Sequence, residues 1–161
     1  MSVVIIREFD HSRDSTALRE CFTELQNYER QLDPGKPEGS TIAEAYLNRM
    51  FARCREWEGR VFVAEVADQV VGFVCVWARV QPDEPDDNPA EYAFVSDLVV
   101  RTTYRRRGIG SQLLSAAEYY ARARGARSLR IGVLGRNAAA RRLYGAAGFE
   151  EYEVELAKQL G

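Results

Sequence analysis

Asp97-Leu98-Val99-Val100-Arg101-Thr102-Thr103-Tyr104-Arg105-Arg106-Arg107-Gly108-Ile109-Gly110-Ser111-Gln112-Leu113-Leu114 is the stretch on which the fold turns. It reads as the end of an apolar strand, a short turn, an Arg/Gly loop and the opening of a helix. The first backbone N–H groups of a helix have no internal partner and carry the positive end of its dipole, so they are ready to hold phosphate oxygens. Glycines at 108 and 110 let such oxygens approach the backbone, and Arg105, Arg106 and Arg107 add charge at the same place. The G-x-x-x-x-G-K-[ST] pattern of nucleotide hydrolases is absent. A dinucleotide fingerprint needs a third glycine where Leu113 stands and an acid about 20 residues on, where the chain reads Leu129-Arg130-Ile131.

Outward from this motif, periodicity gives the other elements. Residues 91–100, 61–66 and 70–80 are strand-like runs, the last two joined at Ala67-Asp68-Gln69 as a hairpin. Residues 3–7 form a short β-branched strand. Asp14 is placed to N-cap a helix reaching about Leu32, with Leu18, Phe22 and Leu25 on one face and Asp33-Pro34-Gly35-Lys36-Pro37 ending it. Thr41-Ile42-Ala43-Glu44 has capping-box spacing and opens a second helix to about Trp57, with Ala45, Met50 or Leu47, and Cys54 inward. After the motif come a helix from Gly108 or Ile109 to Gly125, a strand at 128–133, a helix at 138–147 and a last strand at 149–156. The order β-α-α-β-β-β-α-β-α-β predicts one α/β domain over 1–161, a meander followed by a β-α-β crossover.

Composition is that of an ordinary globule, 46% hydrophobic and 29% charged. No run approaches 18 apolar residues, so no membrane span is expected, and the N-terminus predicts no signal peptide. Cys21, Cys54 and Cys75 are dispersed and His11 is the sole histidine, which predicts buried thiols, no metal and a cytoplasmic protein. Charge is segregated. Residues 1–100 carry 10 basic and 19 acidic side chains, and residues 101–161 carry 12 and 5. The C-terminal part is thus suited to an anion and the N-terminal part to a cation.

At this point the chain resembles a known family. Arg105-Arg106-Arg107-Gly108-Ile109-Gly110 is similar to the R/Q-x-x-G-x-G/A motif of the GNAT superfamily of acyl-CoA-dependent N-acyltransferases. Asp97-Leu98-Val99-Val100 precedes it, and Asn137, Tyr144, Gly148 and Phe149 fit the second recurring signature. The resemblance implies a mixed, mostly antiparallel sheet of 6–7 strands flanked by about four helices, and direct transfer of an acetyl group from acetyl-CoA to a primary amine of a small molecule or protein. It implies that the pyrophosphate lies on the amides from Arg105 to Ser111, through Arg106, Arg107, Gly108, Ile109 and Gly110. The pantetheine arm would pair with Leu98, Val99 and Val100 where the strand splays at a bulge, and Asn137 would bond it. The Leu98 N–H would hold the oxyanion and Tyr144 would protonate the thiolate.

Relatives often carry a Glu base where this chain has Ser96, so Asp97, acting through a water and pointing opposite to Ser96, and Glu29 both stand as candidates. An amine that deprotonates through water needs neither. The acidic loop (Asp83, Glu84, Asp86, Asp87, with Glu91) is expected near the acceptor, and one of Arg136, Arg141 and Arg142 could reach the CoA 3′-phosphate. Two other readings stand beside this one: a CoA-binding regulator without catalysis, and an arginine-rich RNA-binding module. The second is disfavoured because the arginines lack interleaved exposed aromatics for base stacking. The acceptor, the preferred acyl length and the oligomeric state stay open, a homodimer included.

Overall fold

In the computed structural model, which describes residues 2–161, the elements follow as β1 (Val4–Glu8), α1 (Ser15–Leu32), α2 (Gly39–Glu56), β2 (Arg60–Val66), β3 (Gln69–Val80), β4 (Tyr92–Val100), α3 (Ile109–Ala123), β5 (Leu129–Ile131) and α4 (Ala138–Ala146). One 3-10 turn, Thr102–Tyr104, joins β4 to the loop before α3. The strands lie in chain order, β1 to β4 antiparallel and β5 parallel to β4 across the α3 crossover. The β2–β3 turn has both Ala67 (φ 47°) and Asp68 (φ 61°) in the left-handed region, the twist that suits a two-residue hairpin.

Two cores cover the two faces of the sheet. Leu18, Cys21 and Phe22 of α1 and Ala43, Leu47 and Met50 of α2 pack on Val61, Val63, Phe73, Cys75 and Val99. On the opposite face Ile109, Leu113, Ala117 and Ala121 of α3 pack on Ala64, Val74, Val76 and Val95. Cys54 is half-buried and brings its sulfur to 3.5 Å from that of Cys75; all three cysteines are free.

Several expectations change in detail. The sheet has five strands where 6–7 were expected, because residues 149–156 pair with nothing: every residue from Glu150 onward is exposed and outside regular structure. Alternation of side chains marks the two faces of a strand and says nothing about whether a neighbour is there to accept its hydrogen bonds. Helix α2 starts two residues before the expected capping box. Its entry is set by Gly39, whose N–H donates to Asn27 Oδ1 (2.8 Å) on α1, and a Cβ at this glycine would come within 2.7 Å of Thr23 O. Its inward stripe is Ala43, Leu47 and Met50, while Ala45 is exposed. Asp14 sits at the N-cap position of α1 without capping. Its carboxylate takes two hydrogen bonds from Arg7 (2.7 and 3.0 Å) and one from the Asp10 N–H (2.8 Å), and the Arg7 guanidinium holds it below the ordinary carboxylate range.

Leu113 is fully buried between α3 and the sheet, so Leu113→Ala should cost about 2–5 kcal/mol, seen as a melting point lowered by roughly 5–15 °C. A shift of under a degree would contradict the packing described.

Candidate active site

The geometry of the site begins with one surplus residue. Register between β3 and β4 runs Cys75↔Asp97 and then Val76↔Val95, leaving Ser96 as a bulge. Before the bulge Ala93 and Val95 face α3; after it Leu98 and Val100 do so, and Val99 turns to the α1–α2 face. A bulge bends and twists its strand. The pairing of β4 with β5 stops just before the bulge, at Val95↔Ile131, and beyond it the two strands diverge.

The gap has one-sided backbone. The N–H of Arg101 donates to Val71 O on the β3 side (2.8 Å). Alternation along a strand then turns the N–H groups of Val100 and Leu98 the other way, into the gap. Consistent with this, Val100 O faces the gap and accepts from Arg105 Nε (3.1 Å).

A cleft of about 990 Å³ fills the space. Residues 95–100 form one wall and residues 131–134 the other. The floor is the loop and the first turn of α3, with Arg105, Arg106, Gly108, Ile109, Gly110 and Ser111; Asn137, Arg142 and Tyr144 come from the α4 side, and Tyr28, Glu29 and Tyr46 from α1 and α2. Of the residues that the resemblance places at the cofactor or the chemistry, together with the two candidate bases, all but Arg107 border this one cavity.

The loop achieves its shape with two left-handed residues, Arg106 (φ 62°) and Gly108 (φ 76°). Gly110 has a packing role as well, since a Cβ there would sit 3.1 Å from Leu143 Cδ2 on α4. The arginines divide. Arg105 pins the loop to β4 and lies over the Tyr28 ring at 5.0 Å, and Arg106 reaches the wall. Arg107, expected at the phosphate, lies off the cleft wall: its guanidinium donates to Thr103 O (3.3 Å) and lies over Tyr104. Asn137 caps α4, accepting from the Ala140 N–H (3.1 Å), and borders the cleft. Of the three candidate arginines for a terminal phosphate, Arg142 lines the cleft, Arg141 is paired with Glu151 (2.6 Å) and Arg136 donates to Leu32 O (3.4 Å).

Asp97 departs from the sequence reading in orientation. The bulge breaks the alternation, so Asp97 does not point opposite to Ser96: Ser96 Oγ donates to Asp97 Oδ2 (2.9 Å), and both border the cleft. The other oxygen accepts from the Tyr46 hydroxyl (2.8 Å), itself stacked on Phe22. Burial drives the carboxyl up to about 6, against the lowering effect of these two donors and with help from the nearby Glu29 charge. Glu29 is more exposed and lies 3.4 Å from Lys36 Nζ. Burial, with the Glu29 and Asp97 charges, pushes Tyr144 to about 12, so its phenol keeps its proton at every physiological pH.

Tyr46 was not foreseen. In sequence it only borders the apolar stripe of α2, and nothing short of the α2–β4 contact singles it out. The acidic loop expected near the acceptor is elsewhere. None of its carboxylates borders the cleft, Glu91 pairs with Arg79 (3.0 Å), and Asp83 lies in a depression with Arg53 and Glu56.

Comparison with known proteins agrees with this geometry. The acetyltransferase (GNAT) family matches residues 18–149. The uncharacterized N-acetyltransferase YhfO of Bacillus subtilis (strain 168) is 30% identical over 138 residues, 86% of this chain and 85% of that one. YycN of the same organism, also an uncharacterized N-acetyltransferase, is 34% identical over 91 residues, and the match spans only 54% of its length. Among solved structures, a transcriptional regulator from Bacillus halodurans C-125 superimposes with a TM-score of 0.73 at 19% identity, over 98% of this chain and 100% of that one. The aminoglycoside N-acetyltransferase AAC(6′)-Iy in complex with CoA gives 0.65 at 21%, over 99% and 95%. At such identities these two speak for the fold.

Asp97 gives the site a pH signature. An acid raised from 3.8 to about 6 binds more protons folded than unfolded between those values. Native stability therefore falls as pH rises through that window, and the deficit persists above it. Asp97→Asn keeps an acceptor for Tyr46 without the charge. It should gain on the parent by up to about 3 kcal/mol between pH 4 and pH 7; denaturant titrations that stay parallel across this range would refute the assignment.

Proposed function

Because the chain belongs to the acetyltransferase (GNAT) family, we propose that it transfers the acetyl group of acetyl-CoA directly to a primary amine. The observation that carries this reading is a single cleft in which the outward N–H groups of β4 run on to the N-terminus of α3. One end of that cleft suits an extended amide-bearing arm and the other a pyrophosphate, the two halves of one cosubstrate.

Acetyl-CoA supplies an activated thioester. The amides of Gly110 and Ser111 at the start of α3 hold phosphate oxygens, and Arg106 and Arg142 add charge. The Leu98 N–H receives the carbonyl oxygen and stabilises its negative charge when the amine nitrogen adds to the carbon. The carbon–sulfur bond then breaks, the amide remains on the acceptor, and Tyr144 gives its proton to the departing sulfur. Asp97 takes the proton lost by nitrogen, directly or through a water. Two observations favour it over Glu29: burial raises its proton affinity, and Tyr46 and Ser96 fix its position. Glu29 keeps a negative field at the same end and favours acceptors carrying further ammonium groups, such as polyamines and aminoglycosides.

Thermal denaturation with acetyl-CoA, CoA and ATP tests the cosubstrate. At about 100 times its dissociation constant a ligand adds ~2.7 kcal/mol, a rise of roughly 5–10 °C here. It is expected for acetyl-CoA and CoA and not for ATP; no rise at millimolar ligand would remove the reading. Thiol release over a panel of amines then tests transfer, and binding without turnover on any amine would leave a CoA-binding regulator. Tyr144→Phe should keep the thermal shift and lose turnover about 10²-fold; unchanged turnover at all pH values would exclude Tyr144 as the acid.

A further inference from the structure

Two of the three free cysteines meet where α2 packs on the sheet. Cys54, in the last turn of α2, brings its sulfur to 3.5 Å from that of Cys75 on β3. This is contact without a bond: a disulfide needs about 2.05 Å, so closure takes about 1.5 Å of movement. The two sulfurs are unlike. Cys75 is fully buried, and burial pushes its thiol well above the ordinary range. Cys54 is half-buried, and the Cys75 S–H that donates to it holds its thiol below that range, against the effect of burial. The reachable sulfur is thus the readier to ionise, and the other stands behind it.

Packing alone accounts for two small side chains here, since a thiol fills a core as any small apolar group does. It does not account for Trp77. The Nε1 of this indole is buried with no hydrogen-bond partner among the described residues, and its N–H lowers the Cys54 thiol further. A buried donor left unpaired is destabilising, and a thiolate beside it relieves that. Arg55 adds positive charge, while Asp97 opposes it. Gly59 lies directly against the pair, because a Cβ there would come within 2.8 Å of Cys54 Sγ and 2.9 Å of Trp77 Cδ1. Cys21 belongs to the same core but has Arg101 beside it.

We propose that Cys54 and Cys75 form a reversible oxidation site for peroxides, in which Cys54 is oxidised first and Cys75 resolves it as an intrachain disulfide. The Cys54 thiolate attacks one oxygen of hydrogen peroxide and the O–O bond breaks. Cys54 becomes a sulfenic acid, and the hydroxide that leaves takes up the proton the thiol gave up. The Cys75 sulfur then displaces the second hydroxide from Cys54, and its own proton completes a second water. Two thiols together lose two electrons, and one peroxide becomes two waters. A small dithiol reverses the change by exchange.

The pair lies behind the cleft. Cys75 stands opposite Asp97 in the β3–β4 register. Tyr46, whose hydroxyl bonds Asp97 at 2.8 Å, is about two turns from Cys54 on α2. Drawing α2 onto β3 displaces the donor that fixes Asp97, so oxidation slows acetyl transfer. That consequence rests on the proposed function; the disulfide does not.

A small molar excess of hydrogen peroxide should remove the mass of two hydrogens from the chain and cut its titratable thiols from three to one. Peptide mapping without reductant should show Cys54 linked to Cys75, and dithiothreitol should restore all three thiols. Cys75→Ala should stop at a sulfenic acid on Cys54, trapped by dimedone, and Cys54→Ser should keep every thiol it has. Mapping of the parent chain decides the matter even where Cys75→Ala fails to fold. Oxygen added to Cys54 without a link, a link that uses Cys21 or joins two chains, or thiols untouched by peroxide would each overturn the site. Formation of acetylated amine should fall several-fold in the linked chain, recover with dithiothreitol and stay constant in Cys54→Ser. Equal turnover with and without the link would overturn the coupling to Asp97. A chain inactive in both states, with the link formed, would fail the transferase reading alone.

Discussion

Everything at the site follows from β4 having one residue more than β3 can pair. Ser96 is that residue, and its insertion does three things at once. It bends β4 away from β5, so that a sheet otherwise closed by hydrogen bonds opens into a cleft. It reverses which side chains face which layer, sending Val99 to the α1–α2 core while Leu98 and Val100 stay with α3. It also turns Asp97 into the same cavity as Ser96, under the hydroxyl of Tyr46.

The rest of the scaffold serves to hold that opening against the tendency of strands to pair. Arg105 illustrates how. In a loop of three consecutive arginines its charge suggests a ligand, yet its Nε is spent on Val100 O and its plane on Tyr28. It thereby satisfies one carbonyl exposed by the divergence and ties the α3 loop to α1. Gly108 and Gly110 divide their work similarly: the first supplies a left-handed turn into the helix, and the second lets α4 approach α3 at Leu143. The motif thus encodes a joint between four elements as well as the helix N-terminus that floors the cleft.

Much of this was legible in the chain. The helices and the first five strands follow from periodicity, because burying a face is a local demand that leaves a local pattern. The cleft was legible only through the family resemblance carried by residues 97–110 and by Asn137, Tyr144, Gly148 and Phe149. What escaped depends on contacts between distant segments. The entry of α2 is fixed by close approach of Gly39 to Thr23, which no capping rule anticipates. Arg107 has the same sequence environment as Arg106 and a different destination. Asp97 reads as opposed to Ser96 until the bulge is known. Residues 149–156 have a strand's alternation, but the presence of a neighbour is a property of the assembled sheet.

The divergence also leaves an edge in the middle of a sheet, where native proteins seldom tolerate one. An exposed row of N–H and C=O groups is a template for any extended chain, and proteins blunt such rows with bulges, charges or covering segments. Here the bulge at Ser96 and the guanidinium of Arg105 guard the two ends, but the N–H groups of Leu98 and Val100 between them are bare by design. The protein therefore carries a built-in liability toward intrusion by foreign strands along this short stretch of β4. Solubility during storage or heating then depends on how well two backbone groups are guarded as much as on overall composition.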